Sequence, residues 1–152
     1  KTLWISSALS LLSLLQTIRS DSVLLASNGL SPAVILADPA VMAPDRPGRL
    51  SALETEKENQ RRRLRDSILD LSRCLELISG APFPVVTNPV PPEWAGRLKI
   101  HVGTPAFSVF GEIGHSAPYQ QAFRLVADPR KGIGLYGESD LASSYAVYEL
   151  LD

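Results

Sequence analysis

The residues predict a small α/β domain: a mixed β-sheet packed by one long amphipathic helix and a C-terminal helix. Three observations carry that expectation. Short apolar or alternating runs at 33–37, 98–102 and 122–127 have strand character. A capped segment opening at Ser51 keeps helical spacing through Leu64, Ile68, Leu71, Leu75 and Ile78. The stretch 132–152 reads as a strand, a sharp glycine turn and a second capped helix.

The chain has 152 residues, of which 45% are hydrophobic, enough for one domain with a real core. Its net charge is −1, and its basic residues are matched by acids and gathered mostly on one helix. A nucleic-acid footprint is therefore not expected. A single cysteine, Cys74, excludes an intrachain disulfide. In its helical setting it reads as a small buried hydrophobe.

Taken in order, Lys1 precedes an apolar, serine-spaced run from Leu3 to Leu15. A positive start and a short hydrophobic run form the pattern of a secretory signal peptide, too short to span a membrane comfortably. The leader is placed at 1–27 and the mature domain at 28–152. Export to the periplasm or the extracellular space is the expectation, with no membrane attachment once the leader is removed. An uncleaved N-terminal anchor and an ordinary buried helix are the other readings of the run.

Residues 33–37 (AVILA), bounded by Pro32 and Asp38-Pro39, form a compact buried strand, continued after a kink by 40–43. Residues 44–49 are turn-rich. Ser51 and Glu54 have capping-box spacing at the start of the long helix. Its first half, 54–63, is almost wholly polar and is expected to project into solvent. Gly80, then Pro82 and Pro84, end it. Residues 84–87 (PVVT) are a short strand and 88–93 a proline-rich connection. In 98–102, Leu98, Ile100 and Val102 alternate with Lys99 and His101. Residues 106–113 are weakly helical, 114–120 are loop, and 122–127 pairs with the strand starting at Gly132 as a hairpin. Ser139 or Asp140 caps the final helix. There Leu141, Tyr145 and Tyr148 recur at helical spacing, widened by Ala142, Ala146, Val147, Leu150 and Leu151. A helix this apolar needs cover on more than one side.

Gly132, Gly134 and Gly137 have G-x-G-x-x-G spacing, which in another setting cradles a dinucleotide pyrophosphate. That chemistry needs a following strand and an acidic residue about 20 positions on. The glycines instead sit in an alternating strand with close backbone neighbours. His101, His115 and Cys74 lack metal-ligand spacing, and no Walker loop or G-x-S-x-G elbow occurs. No cofactor, metal or catalytic residue is assigned. Glu138 and Asp140 are read as helix caps. Candidate ligand contacts are Trp94, able to stack on a sugar ring or to pack over the sheet edge, and Arg61 and Arg62. These two belong to the cluster Arg61, Arg62, Arg63 and Arg65, readable as an anion or partner site or simply as a solvated helix face.

Three local patterns carry a family resemblance. They are Leu75-Glu76-Leu77-Ile78-Ser79-Gly80-Ala81-Pro82-Phe83-Pro84-Val85, Lys99-Ile100-His101-Val102-Gly103, and Gly137-Glu138-Ser139-Asp140 leading to Ser144-Tyr145-Ala146-Val147-Tyr148-Glu149-Leu150-Leu151. With the element order, they resemble the N-terminal domain ahead of the catalytic barrel in α-glucuronidases. The architecture is similar to the domain preceding the barrel in β-N-acetylhexosaminidases. The resemblance implies an accessory domain of an exported glycoside hydrolase, whose partners are the barrel following in the same chain and a polysaccharide such as xylan. In such enzymes the catalytic carboxylates belong to the barrel, so none is carried onto this chain. The alternative is a free-standing secreted carbohydrate- or protein-binding domain that docks through its apolar final helix.

Overall fold

The computed structural model describes residues 23–152. In order they form β1 (Ala33–Ala37), α1 (Pro39–Met42), α2 (Ala52–Ser79), β2 (Val85–Thr87), α3 (Pro92–Ala95), β3 (Leu98–Val102), α4 (Thr104–Phe110), a 3-10 turn (Pro118–Gln120), β4 (Phe123–Asp128), β5 (Gly132–Gly137) and α5 (Asp140–Leu151). The five strands make one mixed sheet in the order β2-β1-β3-β5-β4. Pairings among β2, β1, β3 and β5 are parallel, and β4 returns antiparallel to β5 as the expected hairpin.

Both faces of the sheet are covered, which is why β1 is apolar at every position and buried throughout. On one face Ala33, Ile35, Ile100, Val102, Ile133 and Leu135 meet Leu64, Ile68 and Leu71 of α2 and Ala146 and Val147 of α5. On the other, Val34, Leu36 and Val86 pack with Val90 and Trp94. Further along that face Phe110 of α4 lies edge-on to His101, and Phe107 edge-on to Tyr136.

The helix starts follow the sequence. Glu54 N–H donates to Ser51 Oγ (3.3 Å), and Ser51 N–H donates to Glu54 Oε2 (2.9 Å), closing the capping box. Ser139, rather than Asp140, caps α5 by accepting from Ala142 N–H at 3.1 Å. Glu138 is not a cap: its Oε2 accepts from the amides of Ala117 (3.1 Å) and Ala122 (3.0 Å) and ties down the loop before β4.

Several expectations are corrected. Residues 40–43 do not extend the strand. Asp38 Oδ1 accepts from Ala40 N–H (2.8 Å) with Pro39 at the first helical position, so the chain turns into α1. A second helical turn, α3, forms inside the proline-rich connection. The polar half of α2 does not simply face water, because Glu58 and Arg61 are buried. The apolar seam ends early: Leu71 is buried, Cys74 and Leu75 are half-buried and Ile78 is 79% exposed. A 28-residue helix is about 42 Å long, whereas a five-residue strand spans about 17 Å, so α2 overshoots the sheet. On α5 the buried face is made of small residues, Ala142, Ser143, Ser144, Ala146 and Val147, while Tyr145 and Tyr148 point outward. Val23, Leu25 and Ala26, at the end of the segment expected to be the leader, pack against the core. The rest of that leader, through residue 22, lies outside the described residues.

The three glycines of 132–137 have packing reasons. A side chain at Gly132 would strike the Lys99 carbonyl, at Gly134 the Phe110 ring, and at Gly137 the backbone of Ala142. Close approach of backbone and ring, rather than a phosphate, explains the spacing.

Candidate functional site

Two surfaces stand out once the fold is known. The first is the outer face of α5 and the neighbouring edge strand. Phe123 and Leu125 of β4 remain 37% and 38% exposed beside Tyr145 and Tyr148. Phe123 and Tyr145 meet edge to face at 6.5 Å between centroids. Tyr148 donates its phenolic hydrogen to Asp70 of α2 at 3.1 Å, which fixes its ring in place. Phe123, Tyr145, Tyr148 and Leu151, with Glu149 and Asp152 at its edge, border a shallow depression. Four large apolar side chains gathered on one helix–strand face exceed the scattered singles expected of an ordinary surface.

The second is a pocket of about 270 Å³ at the carboxyl ends of the parallel strands. The strand order places β2 and β3 on opposite sides of β1, so the chain changes direction there and the connections diverge. Ligands of open α/β sheets collect at such a switch point. Three strand ends each contribute one polar side chain: Asp38 after β1, Thr104 after β3 and Asp140 after β5. Arg46, Glu54, Lys57, Glu58 and Arg61 complete the wall. Asp140 is half-buried, and its carboxyl is pushed above the usual range by burial and then by the charge of Asp38, with Arg61 opposing.

The sequence-selected residues fall in different places. Arg61 is an internal strut. Its guanidinium donates to Glu58 (2.8 and 2.6 Å) and to the carbonyls of Val41 (2.6 Å) and Ala43 (2.8 Å), anchoring the loop after α1. Arg62 lies beside it, pairing with Asp45 (3.3 Å) and Glu58 (3.4 Å). Arg65 also reaches Asp45, at 2.9 Å. Arg61, Arg62 and Arg65 therefore staple α2 to the 41–45 segment, while Arg63 is exposed. The first cause of the depressed Glu58 carboxyl, held down at about 2, is its hydrogen bond from Arg61. Trp94 packs on the Val34, Leu36 and Val86 cluster, with the Arg97 guanidinium 5.0 Å above its ring. It also borders a cleft of about 360 Å³ walled by Phe83, Pro82, Pro84 and Leu30. One side of the indole is thus occupied by protein and another by Arg97, so a sugar stacking there must displace the guanidinium.

Sequence reasoning passed over the strand-end pocket. Asp38, Thr104 and Asp140 lie far apart in the chain, and only the parallel register brings them together. Among the described residues no cluster of three or more His, Cys, Asp or Glu side chains has the geometry to hold a metal ion. No described helix is long and apolar enough to cross a membrane.

The chain matches no family model, no curated protein and no solved structure.

Proposed function

We propose that this domain is a non-catalytic accessory module of an exported glycoside hydrolase of the α-glucuronidase kind, bracing a catalytic barrel in the same chain during breakdown of xylan or a related polysaccharide. The observation that supports this most is the uncovered aromatic face of Phe123, Leu125, Tyr145 and Tyr148 on α5 and its neighbouring strand. Such a face gains stability when another domain covers it, at about 25 cal/mol per Å² of apolar surface removed from water. The element order and the Tyr145-Ala146-Val147-Tyr148 helix point the same way through the resemblance to α-glucuronidase N-terminal domains. Hydrolysis itself is assigned to the barrel, because glycoside cleavage needs two carboxyl groups about 5–10 Å apart across a sugar.

The coding sequence beyond Asp152 tests this first. Strand–helix repeats with acidic residues at strand ends support the reading. An immediate stop overturns it and leaves a free-standing secreted binding domain, for which the Trp94 cleft is the surface to probe. Where a barrel is encoded, Tyr145→Asp in the full chain should loosen the domain contact, raise protease sensitivity between the domains and lower xylan-directed activity. Unchanged proteolysis and activity would remove α5 from the interface.

A further inference from the structure

The strand-end pocket bears a pattern of uncommitted charge that the accessory role does not use. Of its lining residues, Glu54 is engaged by the Ser51 amide (2.9 Å) and hydroxyl (2.6 Å). Glu58 and Arg61 hold one another and the neighbouring backbone. Four charged side chains remain. Asp38 uses one oxygen on Ala40 N–H. The Asp140 carboxylate takes part in none of the side-chain hydrogen bonds or ion pairs found among the described residues, although it is half-buried. Lys57 is exposed and is likewise unpaired among them. The Arg46 guanidinium reaches Glu58 only at 4.0 Å and is otherwise solvated.

The two acids come from strand ends, while the two bases come from α2 and the loop preceding it. Two carboxylates beside one another repel, and Arg61, bonded to Glu58 and to the Val41 and Ala43 carbonyls, opposes that repulsion without abolishing it. An anion alone would leave that pair unrelieved. A lone amine would leave Lys57 without a counter-charge and Arg46 with only its loose attraction to Glu58 and Glu54. A neutral polyol would satisfy hydrogen bonds but no charge. We propose that this pocket binds a small zwitterion of amino-acid size, its ammonium between Asp38 and Asp140 beside the Thr104 hydroxyl and its carboxylate against Lys57 and Arg46. The volume of about 270 Å³ suits a ligand of that size. Complementary charge at both ends supplies the selectivity.

The test is an amide-shift titration of the full chain with L-alanine, propylamine, propionate and glucose in parallel. L-alanine should shift the amides around Asp38, Thr104 and Asp140 saturably. The amine and the acid alone should each bind at least about tenfold more weakly, the loss expected when one charged end is missing. Asp140→Asn and Lys57→Met should each weaken L-alanine by about tenfold or more. Thr104→Val should weaken it less, and it provides a second check should Asp140→Asn disturb the start of α5. Equal binding of glucose, equal binding of propylamine, or no saturable shift with L-alanine would each overturn the proposal.

Discussion

Glu58 and Arg61, one turn apart on the polar half of α2, form a buried ion pair with Arg61 Nη2 2.6 Å from Glu58 Oε1. The same guanidinium donates to the carbonyls of Val41 and Ala43. Arg61→Met should therefore destabilise the domain by roughly 2–3 kcal/mol, as charge-assisted hydrogen bonds are lost and buried acceptors are left bare. Urea unfolding measures this. Glu58→Gln together with Arg61→Met should be milder than the two single changes added.

The same pair has a pH signature. The folded Glu58 carboxyl lies at about 2, below its ordinary 4.5. A depressed acid stabilises above its unfolded value, so this contribution is present above 4.5 and is lost as pH falls through 4.5 toward 2. The melting temperature should fall across that window, and Glu58→Gln should flatten the drop.

His101 titrates in a separate window. Its ring is buried, its Nε2–H donates to the Lys131 carbonyl at 3.2 Å, and its Nδ1 has no partner among the described residues. Burial holds its value below 6.5; the Lys131 carbonyl opposes this and the charge of Lys99 adds to it. The neutral ring is the stable one, so its contribution is full above 6.5 and declines as pH falls below that value. His101→Phe should remove the slope in melting temperature that sets in as pH falls below 6.5. An unchanged slope would assign it to other groups.

Gly134→Ala places a methyl 2.5 Å from the Phe110 ring. Overpacking of this kind should cost about 1–3 kcal/mol. Adding Phe110→Ala opens the space, so the double variant should recover part of the loss introduced by the alanine. Denaturant midpoints of the four proteins close the cycle.

At the start of α2, Ser51→Ala removes the acceptor for the Glu54 amide. A loss of about 1 kcal/mol is expected, read as a lower urea midpoint at unchanged slope.

Much of the architecture was legible because each element carries its own local signal. AVILA, the Ser51–Glu54 box, the Leu64-Ile68-Leu71 seam and the hairpin all follow from nearby residues, and all are present. The errors arose where tertiary context chose between local options. Asp38-Pro39 started a helical turn instead of continuing a strand. Glu58 and Arg61 looked solvated because their burying partner, the 41–45 backbone, sits on a different segment. The tyrosines of α5 looked like its core seam, yet only small residues fit against Gly137 and α2. The strand-end pocket had no local signature, since three distant turns build it.

The position of β1 bears on how the chain acquires this shape. Ile35 pairs with Val85 on one side and Ile100 on the other, so this interior strand must wait for segments synthesised well after it. The two strands of the β4–β5 hairpin, by contrast, are only a turn apart in the chain. Nascent chains therefore carry an unpaired AVILA segment, uncharged and rich in strand-forming residues, until 85–87 and 98–102 have been made. Its hazard is self-association before the sheet closes around it, a risk of the unfinished chain rather than of the finished fold.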